Sequence, residues 1–444
     1  MKSPICDFVK KYADSGISRM HMPGHKGHGV LGEKLDITEI SGADSLYEAD
    51  GIIRESEDNA SKLFSCRTFY SAEGSSHTIR AMLYLTMLYA KSKGQNPRIL
   101  AARNAHRAFL SALALLDIDT DWLVPRKQYS YLSLAPTPSE LDEALSEYRE
   151  KPTAVYLTSP DYLGCVADIE NLAKVCHRHG VLLLVDNAHG AYLHFLKESR
   201  HPIALGADVS CDSAHKTLPV LTGGAYLQIS KNAPSIFEEY AKNALALFGS
   251  SSPSYIILQS LDAANGYLAD RYPIELAEFT LEIEALRSQL VQKGYTLFGN
   301  EPLKLTFDTK PYGYRGDELA EILRSNNIEC EFCDADFAVL MLTPNLDKTD
   351  LSRLSDALLS IERKSPISIP PPSFLMPKKV MSVRSAVMSP CEKLLVKDAI
   401  GRVLAQATVG CPPAVPIIMS GELIDEAAVK CFDYYWISTC LVVK

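Results

Sequence analysis

From about Cys66 to Ser230 short β-rich runs alternate with amphipathic stretches of helical length, and this alternation does most to narrow the fold. Strand and helix signals in such succession build βαβ units on a largely parallel, doubly wound sheet. Strand signals fall at 98–102, 153–158, 181–186, 208–212 and 224–229, with helical periodicity over 75–91, 105–116, 139–149 and 169–179. The expected class is α/β, in which ligands bind beyond the carboxyl ends of the strands.

Past Pro253, helical patterns run over 255–270 and 273–293 and give way to mixed strand and helix signals from Leu303 to Arg363. Pro366-Ile367-Ser368-Ile369-Pro370-Pro371-Pro372 cannot continue a helix and reads as a linker. The expected division is an N-terminal arm and large domain over 1–272, a small α+β domain over 273–364, and a linker with a C-terminal domain over 365–444. A formal charge of −9 argues against a nucleic-acid surface. The longest apolar stretches, such as Ala81 to Ala90, fall short of the ~20 residues that span a bilayer, so no membrane segment is expected. Eleven cysteines without regular spacing, behind a start that lacks a signal-peptide core, suit a reducing cytoplasm.

The run Val181-Leu182-Leu183-Leu184-Val185 ends in Asp186-Asn187-Ala188-His189-Gly190, and thirty positions after Asp186 stands Lys216, in Cys211-Asp212-Ser213-Ala214-His215-Lys216-Thr217-Leu218-Pro219. Alone, Asp186 reads as a cap or turn carboxylate and Lys216 as a solvated surface amine. Together they match the needs of pyridoxal phosphate: a carboxylate to keep the pyridine nitrogen protonated and an amine to attach the cofactor as an imine. The return from Leu218 to Gly224 would partly desolvate that amine and favour its neutral, nucleophilic form. A phosphate site is expected where Phe69-Tyr70-Ser71 leads through Ala72-Glu73-Gly74 into Ser75-Ser76-His77, a glycine-permitted turn that opens a helix beside two hydroxyls. A plain serine N-cap explains the same residues without excluding the phosphate. His106 can lay its ring on a planar cofactor or be a structural histidine, and His189 can bond the cofactor ring or a substrate carboxylate or stand behind the site.

Other patterns carry less. Gly27-His28-Gly29-Val30-Leu31-Gly32 matches G-x-G-x-x-G with no strand leading into it, and Ser213-Ala214-His215-Lys216 matches S-x-x-K without the elements that accompany it in serine enzymes. His21, His25 and His28 lack metal-ligand spacing, and Cys330-Glu331-Phe332-Cys333 has no partner pair, so no metal is expected.

Assembled, these landmarks resemble the Orn/Lys/Arg decarboxylase family in its short form, pyridoxal-phosphate enzymes of the aspartate-aminotransferase fold. The likeness spans nearly the whole chain. It rests on His21-Met22-Pro23-Gly24-His25-Lys26-Gly27, Gly42-Ala43-Asp44-Ser45-Leu46-Tyr47, Gly74-Ser75-Ser76, Asn104-Ala105-His106, the Asp186 and Lys216 segments, and Ser251-Ser252-Pro253-Ser254-Tyr255. The resemblance implies a transferase-like major domain with smaller α+β C-terminal domains. It implies that Lys216 carries the cofactor, Asp186 pairs with its pyridinium, His106 stacks on the ring, and Gly74, Ser75, Ser76, Ala188, Ser213 and His215 complete the cofactor site. It further implies a homodimer or larger homo-oligomer, with Ser252 reaching the partner's cofactor, and decarboxylation of lysine, ornithine or arginine to the amine and CO2. Lys216 or His215 would return a proton to the α-carbon, with His189 among the catalytic residues and Glu422 and Asp161 candidates for the substrate's cationic end. An aminotransferase or other lyase, or a catalytically quiet regulatory homologue, would share the same cofactor residues.

The chain departs from the family pattern in four places. Glu73 precedes Gly74 where asparagine is usual, Asn187 replaces a glutamate, Tyr192 stands near a common histidine, and Cys411 and Ala414 replace a tyrosine and a glycine.

Overall fold

The computed structural model describes residues 1–372, 376–407 and 413–444, so Cys411 lies outside the described residues. The main sheet has seven strands: β1 (Arg67–Ser71), β2 (Arg98–Ala102), β3 (Asp119–Leu123), β4 (Ala154–Thr158), β5 (Leu182–Asp186), β6 (Val209–Asp212) and β7 (Ala225–Ile229). Their order is β1-β7-β6-β5-β4-β2-β3. β2 pairs with β3, and β5 with β6, in parallel, whereas β7 runs antiparallel to both β1 and β6. Helices α1 (Pro4–Asp14) and α2 (Ile52–Phe64) precede β1, and α3 (Ser75–Ser92), α4 (Arg107–Leu116), α5 (Pro138–Glu147), α6 (Ile169–Arg178) and α7 (Ala214–Thr217) fall between strands. The α/β class and the mostly parallel sheet are as expected.

Local chemistry accounts for these elements. Every residue of β5 is buried, as suits an unbroken apolar run inside a sheet covered on both faces. α6 buries Ile169, Leu172, Ala173, Val175 and Cys176, a stripe at helical spacing. α5 opens on a capping box in which Thr137 and Glu140 satisfy each other's backbone N–H groups.

The chain divides into two compact units, 1–97 with 150–156 and 169–276, and 98–149 with 157–168 and 277–444. In the first unit Ser71 lies opposite Ala225, Asp212 opposite Tyr226, and Asp186 opposite Cys211. Because β7 is reversed, it begins at the edge where β1, β5 and β6 end. In the second unit β8 (Thr296–Phe298), β9 (Lys304–Asp308), β10 (Phe332–Cys333) and β11 (Phe337–Met341) form an antiparallel sheet in the order β10-β11-β9-β8. A three-stranded sheet of β12 (Cys391–Leu395), β13 (Leu404–Gln406) and β14 (Thr439–Val443) follows, in the order β12-β14-β13. Leu404 and Val442 pack there with Ile417, Ile418 and Phe432. Among the described residues no helix is long and apolar enough to cross a membrane.

Candidate active site

The edge where β1, β5 and β6 end and β7 begins collects the reactive side chains of the first unit. Asp186 closes β5 and is buried, its carboxylate accepting the Tyr156 hydroxyl at 3.2 Å and the Ala188 N–H at 3.2 Å. Burial pushes its carboxyl up to about 6, against the opposing pull of the Lys216 charge. Beyond β6 the chain turns into α7, which sets Lys216 half-buried with its Nζ 2.8 Å from Nε2 of His189. His215 donates Nδ1–H to the Gly224 carbonyl at 3.0 Å, leaving the lone pair of the neutral ring on Nε2. Burial lowers its pKa and the neighbouring Lys216 adds to that.

The turn ahead of α3 adopts φ 73° and ψ 175° at Gly74, a conformation essentially confined to glycine. Its N–H donates to the Gly223 carbonyl at 2.7 Å. A Cβ at Gly74 would meet nothing within 4 Å and no side chain caps the helix, so space is open at its start, where the His77 N–H turns back to the Gly74 carbonyl at 3.1 Å. The Ser213 hydroxyl donates to Ser75 Oγ at 2.7 Å, and Ser76 is the second residue of α3. Glu73 is exposed, and its carboxylate accepts the Ser250 N–H at 2.6 Å. Its charge is thereby engaged by the segment that leads to Ser252, itself exposed and bonded through its N–H to Ser250 Oγ at 3.1 Å.

These residues fit pyridoxal phosphate. An uncapped helix start beside paired hydroxyls suits a phosphate, a desolvated carboxylate suits a pyridinium, and a half-buried amine suits covalent attachment.

The family pattern for the Orn/Lys/Arg decarboxylase major domain matches residues 3–297, and that for the C-terminal domain matches residues 371–439. The chain belongs to the Orn/Lys/Arg decarboxylase family. Among relatives of this decarboxylase-family chain, the uncharacterized protein YaaO of Bacillus subtilis is 30% identical over 97% of this chain and 93% of its own length. An arginine decarboxylase of the same organism is 29% identical over 96% of this chain and 92% of its own. The solved lysine decarboxylase LdcF of Francisella novicida superposes with a TM-score of 0.81 at 16% identity, covering 100% of this chain and 81% of that one, a likeness of fold.

Three expected residues of this family member lie in the second unit. His106 caps α4, its Nδ1 accepting the Ala108 N–H at 3.1 Å. Asp161 holds a tight turn by accepting the N–H groups of Leu163 and Cys165 together with the Ser133 hydroxyl. Glu422 is buried against Arg103, which donates to it through both terminal nitrogens, one at 2.6 Å, and it also takes the Met419 N–H at 2.8 Å. Expected as partners for a substrate cation, Glu422 already has its cation and Asp161 serves its own turn; neither is a vacant carboxylate. Sequence reasoning missed Tyr156, which reads as ordinary strand filling, and Asp212. The signal for Asp212 was present, because it ends a strand just ahead of Lys216 as Asp186 ends the neighbouring one.

Proposed function

We propose that this chain releases CO2 from a basic amino acid, arginine being the first to test, with pyridoxal phosphate attached at Lys216. The observation that carries this reading is Lys216 Nζ held 2.8 Å from His189 at the strand edge where buried Asp186 ends β5. The cofactor, when bound, supplies a sink for the electron pair left on the α-carbon as the carboxylate departs. Lys216 contributes the attaching amine, and His189 orients it by accepting one of its hydrogens at Nε2. Asp186, desolvated, would favour a positive N–H beside it and so would keep the cofactor's ring nitrogen protonated. The open turn at Gly74 and the hydroxyls of Ser75 and Ser213 receive a phosphate. Lys216 or His215 would return a proton to the α-carbon.

Arginine as first choice rests on the full-length likeness to the Bacillus subtilis arginine decarboxylase. The reading includes a homodimer, supported by the near-complete exposure of Met20, Val30 and Leu31, and a cytoplasmic setting, supported by ten described cysteines that are all free. The test is the visible absorbance of wild type and Lys216→Ala with pyridoxal phosphate, followed by CO2 release from arginine, lysine and ornithine. A Lys216-dependent band with release from one of the three is the expected result. A band without release redirects the assignment to transamination or a regulatory role, and no band overturns it.

A further inference from the structure

Behind Asp186 and Lys216 lies a second buried carboxylate that the proposed chemistry does not use. Asp212 ends β6 four residues before Lys216 and is wholly buried. Its Oδ1 accepts Nδ2–H of Asn187 at 2.9 Å and the Ser210 hydroxyl at 3.3 Å, and its Oδ2 faces Nε2 of His201 at 2.9 Å. The Ile203 N–H donates to Nδ1 of His201 at 3.3 Å, so the imidazole turns its Nε2–H to Asp212. His201 and Asn187 are as buried as the carboxylate they hold. The other groups whose charge bears on Asp212 are Asp186, Cys211, Cys66, His194 and Tyr226.

Asn187 follows Asp186 directly. Its backbone N–H donates to the Cys211 carbonyl at 2.9 Å while its side chain reaches Asp212, so it binds the end of β6 twice. Its Oδ1 is buried without a hydrogen-bond partner among the described residues, which marks the amide as placed for its donor and not its acceptor. A carboxylate at this position would stand against Asp212 and need a shared proton; the amide donates at any pH.

We propose that Asn187 and His201 are positioning residues: through Asp212 they clasp the ends of β5 and β6, fixing Asp186 and Lys216 relative to each other and holding a buried negative charge behind them. This rests on the reading of Asp186 and Lys216 as the cofactor-holding pair. Without the clasp the charge behind Asp186 is less well held and the bound cofactor retains its protons less firmly.

The test titrates the visible absorbance of the cofactor-loaded protein with pH, and measures cofactor affinity and apo-protein melting, in wild type, Asn187→Leu, His201→Phe and His201→Gln. Asn187→Ala replaces Asn187→Leu should the latter not fold. Removing either donor is expected to lower the spectral midpoint and weaken cofactor binding about tenfold, the scale of one hydrogen bond to a charged group. His201→Gln, whose amide can donate to Asp212, is expected to restore both. Wild-type midpoints and affinities in Asn187→Leu and His201→Phe would overturn the clasp while leaving the site intact. Failure of His201→Gln to rescue would also overturn it, because a packing role alone would then explain the loss. No Lys216-dependent band in wild type would overturn both the clasp and the function it serves.

Discussion

In the second unit Glu422 is paired with Arg103 and Asp336 with Lys310 at 2.5 Å, each ion buried with its counter-ion. At the strand edge of the first unit, Asp186 and Asp212 are buried as deeply, yet the groups that donate to them are hydroxyls, an amide, an imidazole and a backbone N–H. The contrast is local to that edge, since elsewhere in the first unit buried Glu57 has the ammonium of Lys242 at 2.6 Å. A buried carboxylate with a built-in cation is finished structure; one held by neutral donors keeps a field that a cationic ligand can answer.

That contrast can be broken first in the second unit. Arg103→Ala strands the Glu422 charge and is expected to cost about 3–5 kcal/mol in chemical denaturation, most of it regained when Arg103→Met is combined with Glu422→Leu. A single-mutant cost below about 1 kcal/mol would show that this pair is no more neutralising than the donors around Asp186.

The next largest effect concerns pH. Asp186 holds its proton up to about 6 in the folded chain, against 3.8 for an ordinary aspartate, so the native state binds more protons than the unfolded one between those values. Stability contributed by this group is therefore present at low pH and lost as pH rises from about 4 to about 6, a difference of about 3 kcal/mol. Asp161 is likewise pushed up to about 6, so the measurement is the difference between wild-type and Asp186→Asn apo-protein melting across that range. Parallel curves would mean that Asp186 carries no such strain.

Tyr156→Phe gives the smallest effect and the sharpest one. It deletes the hydroxyl donor to Asp186 and is expected to destabilise the apo-protein by about 1–2 kcal/mol at pH 8, where the carboxylate is ionised, with less effect at pH 5. Equal losses at both values would assign the hydroxyl to packing.

Much of this was legible in the chain itself. Strand 98–102 and helix 255–270 coincide with the observed elements, because an apolar core run and a long helical period are strong signals. β3 was not seen: Asp119, Thr120 and Asp121 fill most of it, and a strand at the end of the sheet order need not be apolar. Asp186 and Lys216 stood out because each sits in one continuous motif. Tyr156 reaches Asp186 from another strand, and Arg103 finds Glu422 across 319 positions of sequence, so neither contact exists at the level of local pattern. Glu422 looked available for that reason.

The reversal of β7 has a consequence for insertions and deletions. Gly223 and Gly224, which lead into β7, offer the carbonyls that hold Gly74 and His215, and Ala225 and Tyr226 face Ser71 and Asp212 across the ladder. A residue gained or lost between 218 and 224 would shift this register by one and turn each β7 side chain to the opposite face, parting the Gly74 turn from Lys216 in a single event. The same change after Ile229 would leave the register untouched. This short return is thus bound in length as well as in identity, for Gly223 turns at φ 102° with the Ala72 carbonyl only 2.9 Å from where a Cβ would stand.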